Sequence, residues 1–119
     1  MFRLILNELI VTTHGALAAL FLDFEGETVE LVCDRDLSDH DLRIIGAYQG
    51  IFLSRLRTLC AHVSAGAPER FKLEFENVRV LSCDVKDGYY VVLLADKTAN
   101  EGVAWRRLES CRGKLLVEM

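Results

Sequence analysis

Proline is almost absent from this chain, with Pro68 the only one in 119 residues. There is no low-complexity stretch and no internal repeat, so nothing marks a linker, and the length suits one hydrophobic core. A single domain over residues 1–119 is expected. Long apolar runs are missing too. No segment reaches about 18 apolar residues without a charge, and the apolar opening from Phe2 to Val11 already carries Arg3 and Glu8. The sequence therefore argues against a membrane-spanning helix, and the opening lacks the small-residue cleavage site of a signal peptide.

Nor is there an excess of basic residues. The 14 Lys and Arg stand against 18 Asp and Glu, a net charge of −4, and the bases are scattered among acids. Nucleic acid is not an expected partner, because that affinity comes from clustered cations neutralising phosphates. The four cysteines, Cys33, Cys60, Cys83 and Cys111, form neither a C-x-x-C site nor a disulfide framework, and read as buried, reduced thiols of a cytoplasmic protein. The enzyme signatures G-x-S-x-G, G-x-x-x-x-G-K-[ST], H-E-x-x-H and G-x-G-x-x-G are all missing. His14 falls at a helix end and His40 in a capping turn. His62 stands two residues after Cys60, which on a helix points the pair in different directions. No catalytic residue, cofactor or metal site is expected.

What is present is apolar: 51% of residues, enough to leave some surface for a partner. Phe2, Ile5, Leu6, Leu9 and Ile10 recur at helical spacing, and Gly15 after His14 ends that first helix. Ala16 to Phe24 is an apolar run that suits a central strand, and Glu25-Gly26-Glu27 turns it into a second strand from Thr28 to Cys33. The acids of Asp34-Arg35-Asp36-Leu37-Ser38-Asp39-His40-Asp41 have neither the glycine nor the closing glutamate of a calcium loop. Ser38 with Asp41 three residues on reads instead as the cap of a helix running from about Asp39 to Val63 or Ser64. Arg70 to Glu76 alternates, with Phe71, Leu73 and Phe75 on one face and Arg70, Lys72, Glu74 and Glu76 on the other. Val78 to Lys86 and Tyr89 to Asp96 flank Asp87-Gly88, a hairpin turn needing positive φ at both positions. Thr98, with Glu101 three residues later, is expected to cap a last helix whose inward stripe is Ala104, Leu108, Cys111 and Leu115. The order αββαβββα predicts an α/β domain with a five-stranded antiparallel sheet and helices on both faces.

The long helix carries two stripes. Leu42, Ile45, Gln49, Phe52, Leu56, Leu59, Cys60 and Val63 make the expected core side, while Ile44, Ala47, Tyr48, Ile51 and Thr58 gather opposite, where a monomer would present charge. Gly46 and Gly50 lie between them. They allow close packing on the chain's own sheet or a mild kink, or the approach of another backbone such as the same helix of a second subunit. An edge position for the strand at 70–76 would likewise admit a second copy. Antiparallel pairing about Leu73 would set Lys72 against Glu74 and Arg70 against Glu76 of the other copy. The alternative is an ordinary strand with one wet face.

Several strings resemble the Roadblock/dynein light chain family, including its bacterial MglB-type members. They are His14-Gly15-Ala16 leading to Asp23-Phe24-Glu25-Gly26, the strand Tyr90-Val91-Val92-Leu93-Leu94-Ala95-Asp96, and Ala99-Asn100-Glu101-Gly102 running on to Trp105-Arg106-Arg107-Leu108. The resemblance spans nearly the whole chain. It implies a homodimer with a continuous ten-stranded sheet and adjacent long helices, acting as a non-catalytic platform for a small Ras-like GTPase. The implied dimer interface is Gly46, Ala47, Gly50, Phe71, Lys72, Leu73, Glu74 and Phe75, and the implied partner surface is Ile44, Tyr48, Ile51 and Arg55. The rival readings are a scaffold in a signalling or motility complex without a GTPase and a small-molecule sensor. The sensor would need convergent polar groups around a cavity.

Overall fold

The computed structural model describes residues 1–34 and 36–119; Arg35, inside the acidic segment weighed above as a calcium loop, lies outside the described residues. The elements follow the order expected: α1 (Phe2–Thr12), β1 (Ala16–Leu22), β2 (Thr28–Cys33), α2 (Asp39–His62), β3 (Arg70–Glu74), β4 (Val78–Lys86), β5 (Tyr89–Asp96) and α3 (Glu101–Glu118). The strands form one antiparallel sheet in the order β2-β1-β5-β4-β3, so β1 and β5 are central and β2 and β3 are the edges. Pleating sends alternate residues to opposite faces. Ala19, Phe21, Val91 and Leu93 meet Leu6, Leu9, Leu108 and Leu115 of α1 and α3 on one side. Ala18, Leu20, Leu22, Val92 and Leu94 meet Leu42 and Leu53 of α2 on the other.

The turns follow the local chemistry. Gly15 has φ +86° with Asp96 and Ala99 packed against it, leaving no room for a Cβ. Asp87 and Gly88 both take positive φ, at 53° and 84°, as the two-residue hairpin requires. Ser38 caps α2 by accepting from the Asp41 N–H. Three expected boundaries move. β1 stops at Leu22 and not at Phe24, because the Asp23 carboxylate accepts from the N–H groups of Glu25 and Glu27 and turns the chain there. β3 ends at Glu74 and not Glu76, where the Phe75 N–H bonds back to the Val78 carbonyl. The cap of α3 is Asn100, which accepts from the Val103 N–H, because Thr98 is tied to the Asp96 carboxylate.

The orientation of α2 differs from the periodicity reading. Its fully buried residues are Leu42, Gly46, Gln49 and Leu53. The stripe expected in the core is thus turned by roughly 60° about the helix axis, at 100° per residue. The glycines cause this. A Cβ on Gly46 would meet Leu22 and Leu20 at 2.9 and 3.0 Å, and one on Gly50 would lie 2.5 Å from the Tyr90 hydroxyl oxygen. That hydroxyl, buried, donates to the Gly46 carbonyl at 2.8 Å, and burial pushes its pKa up to about 12. Gly46 and Gly50 therefore bring α2 down onto its own sheet, the packing that the sequence offered beside a contact with a second subunit.

Candidate functional site

Two helices cover one face of the sheet, whereas α2 alone covers the other, and it lies over β1, β2 and β5. It reaches the middle of β4 through Gln49, which accepts from the buried Ser82 hydroxyl, and through Arg57, which binds Asp84, while the strip above β3 and the start of β4 is left open. This strip forms an apolar groove of about 740 Å³ between α2 and the sheet, walled by Ile44, Tyr48, Phe52, Leu73, Phe75 and Val78. Tyr48 is 54% exposed, Ile44 42% and Phe75 56%. Phe52 packs edge-on against Phe71 across the groove at a centroid distance of 6.2 Å. Phe52, Leu59 and Val63, expected in the core, are exposed instead. Phe52 is carried out by the rotation of α2. For Leu59 and Val63 the physical reason is length: 24 residues of helix span about 36 Å, against about 23 Å for the seven-residue β1, so the end of α2 overhangs the sheet.

The expected site residues separate into groups. Ile44 and Tyr48 border the groove beside β3. Ile51, half exposed, and Arg55 flank a smaller hollow of about 240 Å³ on the opposite flank, beside Phe24 and the β1–β2 turn. Ala47 packs against Gly26 of that turn. Phe71 and Leu73 are half-buried under the groove, and Phe75 is exposed just past the end of the strand. Lys72 and Glu74 are on the other face in a charged cluster. Lys72 donates to Glu101 at 2.8 Å, Glu74 accepts from Lys97 at 3.0 Å, and Arg79 contacts Glu74 at 3.2 Å. The hydrogen bond to Glu101 raises the Lys72 pKa, and the one from Lys97 lowers that of Glu74. Arg70 lies over the Trp105 ring at 4.7 Å and Glu76 lies beyond the strand, so the expected pairing of Arg70 with a second copy's Glu76 has no strand geometry behind it.

A polar hollow of about 430 Å³ on the α3 side brings Cys83 near Arg70, Glu109 and Arg112. Burial pushes the Cys83 thiol up to about 11, so it stays protonated at neutral pH. Arg112 is spent on the Asp84 carbonyl at 2.7 Å and on Glu109. Cys111 is buried as well, its thiol pushed up to about 12 by burial, whereas Cys33 and Cys60 are only half-buried, short of the full burial expected for all four. Among the described residues no group of three or more His, Cys, Asp or Glu converges as metal ligands. No helix of the described residues is long and apolar enough to cross a membrane.

No family model matches the sequence, and no curated protein does either. Solved structures do match. A Roadblock/LC7 domain from Streptomyces avermitilis superposes with a TM-score of 0.85 at 13% identity, covering 95% of this chain and 92% of that one. The gliding protein MglB from Thermus thermophilus gives 0.84 at 17% identity, over 94% and 83%. MglC from Myxococcus xanthus gives 0.69 at 23% identity, over 99% and 98%. The element order, the sheet and these superpositions agree that the chain has the fold of the Roadblock/LC7 domains, in the form seen in MglB.

Proposed function

We propose that this chain is a non-catalytic, homodimeric interaction module that binds or regulates a small Ras-like GTPase in the cytoplasm. The observation that carries the proposal is the apolar groove running without interruption from α2 to the edge strand β3. A sheet face with a single helix leaves apolar surface to be buried, and an edge strand beside it offers backbone groups, which together suit a second copy of the same element. Gly46 lies buried against the sheet and Gly50 lines the hollow beside Ile51 and Arg55, so neither borders this groove. Ile44, Tyr48, Phe52, Phe71, Leu73 and Phe75 form the paired surface, with Lys72 and Glu74 setting register and Ala47 at the periphery.

Register follows from the backbone. Asp84 N–H bonds to the Glu69 carbonyl and Phe75 N–H to that of Val78, so odd residues of this segment bond to β4, while the N–H and C=O of Arg70, Lys72 and Glu74 point outward. Symmetric antiparallel pairing of outward groups can centre only on 71, 72 or 73. The first sets Arg70 against Lys72, and the second sets Arg70 against Glu74 but Lys72 against itself. Only the third, about Leu73, opposes Lys72 and Glu74.

Ile51 and Arg55 are left outside the paired strip, available to the GTPase that the family resemblance implies, with Ile44 and Tyr48 continuing that surface towards the groove. The groove lining is almost wholly apolar, which disfavours the small-molecule sensor because no set of polar groups converges to orient a ligand. Sedimentation of the purified chain tests the dimer, and a monomer at micromolar concentration would remove it. Pull-down with a Ras-like GTPase encoded beside it tests the partner. Ile51→Glu should lower retention about tenfold, equivalent to about 1.4 kcal/mol, with the dimer intact; undiminished retention by the folded variant counts against that surface.

A further inference from the structure

The sheet has two edge strands, and the structure treats them differently. At β2, the Asp34 N–H bonds inward to the Leu17 carbonyl, so alternation turns the N–H and C=O of Leu31 away from β1. Both of these groups are occupied by side chains. The Leu31 N–H donates to Glu30 Oε1 at 3.3 Å, and Arg3, reaching from α1, donates through one guanidinium nitrogen to the Leu31 carbonyl at 3.3 Å and to the same Glu30 oxygen at 3.1 Å. These bonds close a ring over the middle of the strand. α1 is itself fixed by buried Leu6, Leu9 and Ile10, so Arg3 is delivered from a rigid base.

The exposed end of β4, beyond the first residue of β3, is treated in the same way, because Arg112 of α3 holds the Asp84 carbonyl at 2.7 Å. At β3 the pattern reverses. Among the described residues no side chain bonds to the outward backbone of Arg70, Lys72 or Glu74, and the charged side chains there are drawn down onto α3 and the β5–α3 loop. A sheet with two open edges adds copies without limit, whereas one open, self-complementary edge closes after a single addition.

We propose that Arg3 and Glu30 act as an edge guard on β2, confining backbone pairing with another chain to β3 and ending assembly at two copies. The inference deepens the homodimer reading, from which it takes only its starting size.

The test is light scattering with size exclusion on the full chain over a wide concentration range, comparing it with Arg3→Ala/Glu30→Thr, residues that suit a helix and a strand respectively. The variant should keep the parental circular dichroism while its mass rises with concentration past twice the parental value without a plateau, as dimers join end to end through their two β2 edges. A mass equal to that of the parent at every concentration overturns the guard. Should the double variant misfold, Arg3→Ala alone uncaps the Leu31 carbonyl and should show the same rise at higher concentration. Adding Lys72→Pro, which removes an outward N–H from β3, separates the two claims. The parent carrying it should become a monomer, and the guardless chain carrying it should still dimerise. A parent that is monomeric from the outset defeats the homodimer, yet the guard still stands or falls on whether Arg3→Ala/Glu30→Thr then forms pairs.

Discussion

Replacing Gly50 with alanine decides what the glycines of α2 are for. In an exposed helix the change is stabilising, since alanine gains about 0.5–1 kcal/mol over glycine. Here the new Cβ would lie 2.5 Å from the Tyr90 hydroxyl oxygen and within 2.9 and 3.1 Å of two ring carbons. Overfilling a packed site costs about 1–3 kcal/mol, and pushing the hydroxyl off the Gly46 carbonyl removes a buried hydrogen bond worth about 1 kcal/mol. The losses outweigh the gain, and we expect a net destabilisation of about 1–3 kcal/mol, which in a domain of this size lowers Tm by about 4 °C per kcal/mol. Urea unfolding at fixed protein concentration measures it. The Tyr90→Phe background supplies the control, since it removes the 2.5 Å contact and leaves the ring. Alanine should then cost about 1 kcal/mol less, a coupling that a double-mutant cycle reads directly. A Gly50→Ala protein more stable than its parent would refute the packing account, and so would a cost indifferent to residue 90. Either result would mean that Tyr90 does not limit how closely α2 settles on the sheet.

Charge on β3 and burial of the thiols yield two further expectations. Lys72→Glu should weaken the dimer by setting like charges against each other, and the exchange Lys72→Glu/Glu74→Lys should recover much of the loss; a double variant as weak as the single one, measured by sedimentation, rejects pairing about Leu73. At mildly alkaline pH a disulfide reagent should modify Cys33 and Cys60 quickly, and Cys83 and Cys111 only on unfolding, so rapid reaction of all four thiols contradicts the burial. The pH dependence follows from the same groups. Burial raises the folded values of Cys83, Cys111 and Tyr90 to about 11, 12 and 12 from 9.0, 9.0 and 10.0, so the unfolded chain releases those protons first. Their contribution is complete below pH 9 and is lost as pH rises towards 11 to 12, at up to about 1.4 kcal/mol per pH unit for each group. A urea midpoint that stays level from pH 8 to about 10.5 would contradict this.

Features resting on one or two residues were legible in the sequence. Asp87-Gly88 fixed its hairpin, Ser38 its cap and Gly15 the end of α1, because each acts through its own backbone angles or a bond to a near neighbour. The strand ends were misread where a side chain intervenes locally, as Asp23 does after β1. Asn100 and Thr98 are both acceptable caps by type, and only the claim of Asp96 on Thr98 separates them. The exposed back of α2 was legible as Ile44, Tyr48 and Ile51, since periodicity reports angle around an axis. Periodicity reports neither which side settles nearest the sheet nor where the sheet stops. Hence Leu53 was missed in the core and Phe52, Leu59 and Val63 were placed there. Gly46 and Gly50 held the missing signal, since a helix settles closest where it has no side chains.

The unequal dress of the sheet, two helices on one face and one on the other, bears on the lifetime of the protein in a cell. Were the open strip closed by a second copy, as proposed, part of the domain's stability would depend on its abundance, because each tenfold dilution takes about 1.4 kcal/mol from a two-chain assembly. Newly made chains would be most open to proteolysis when scarce and protected once they had accumulated, so the level of this protein would set its own rate of turnover.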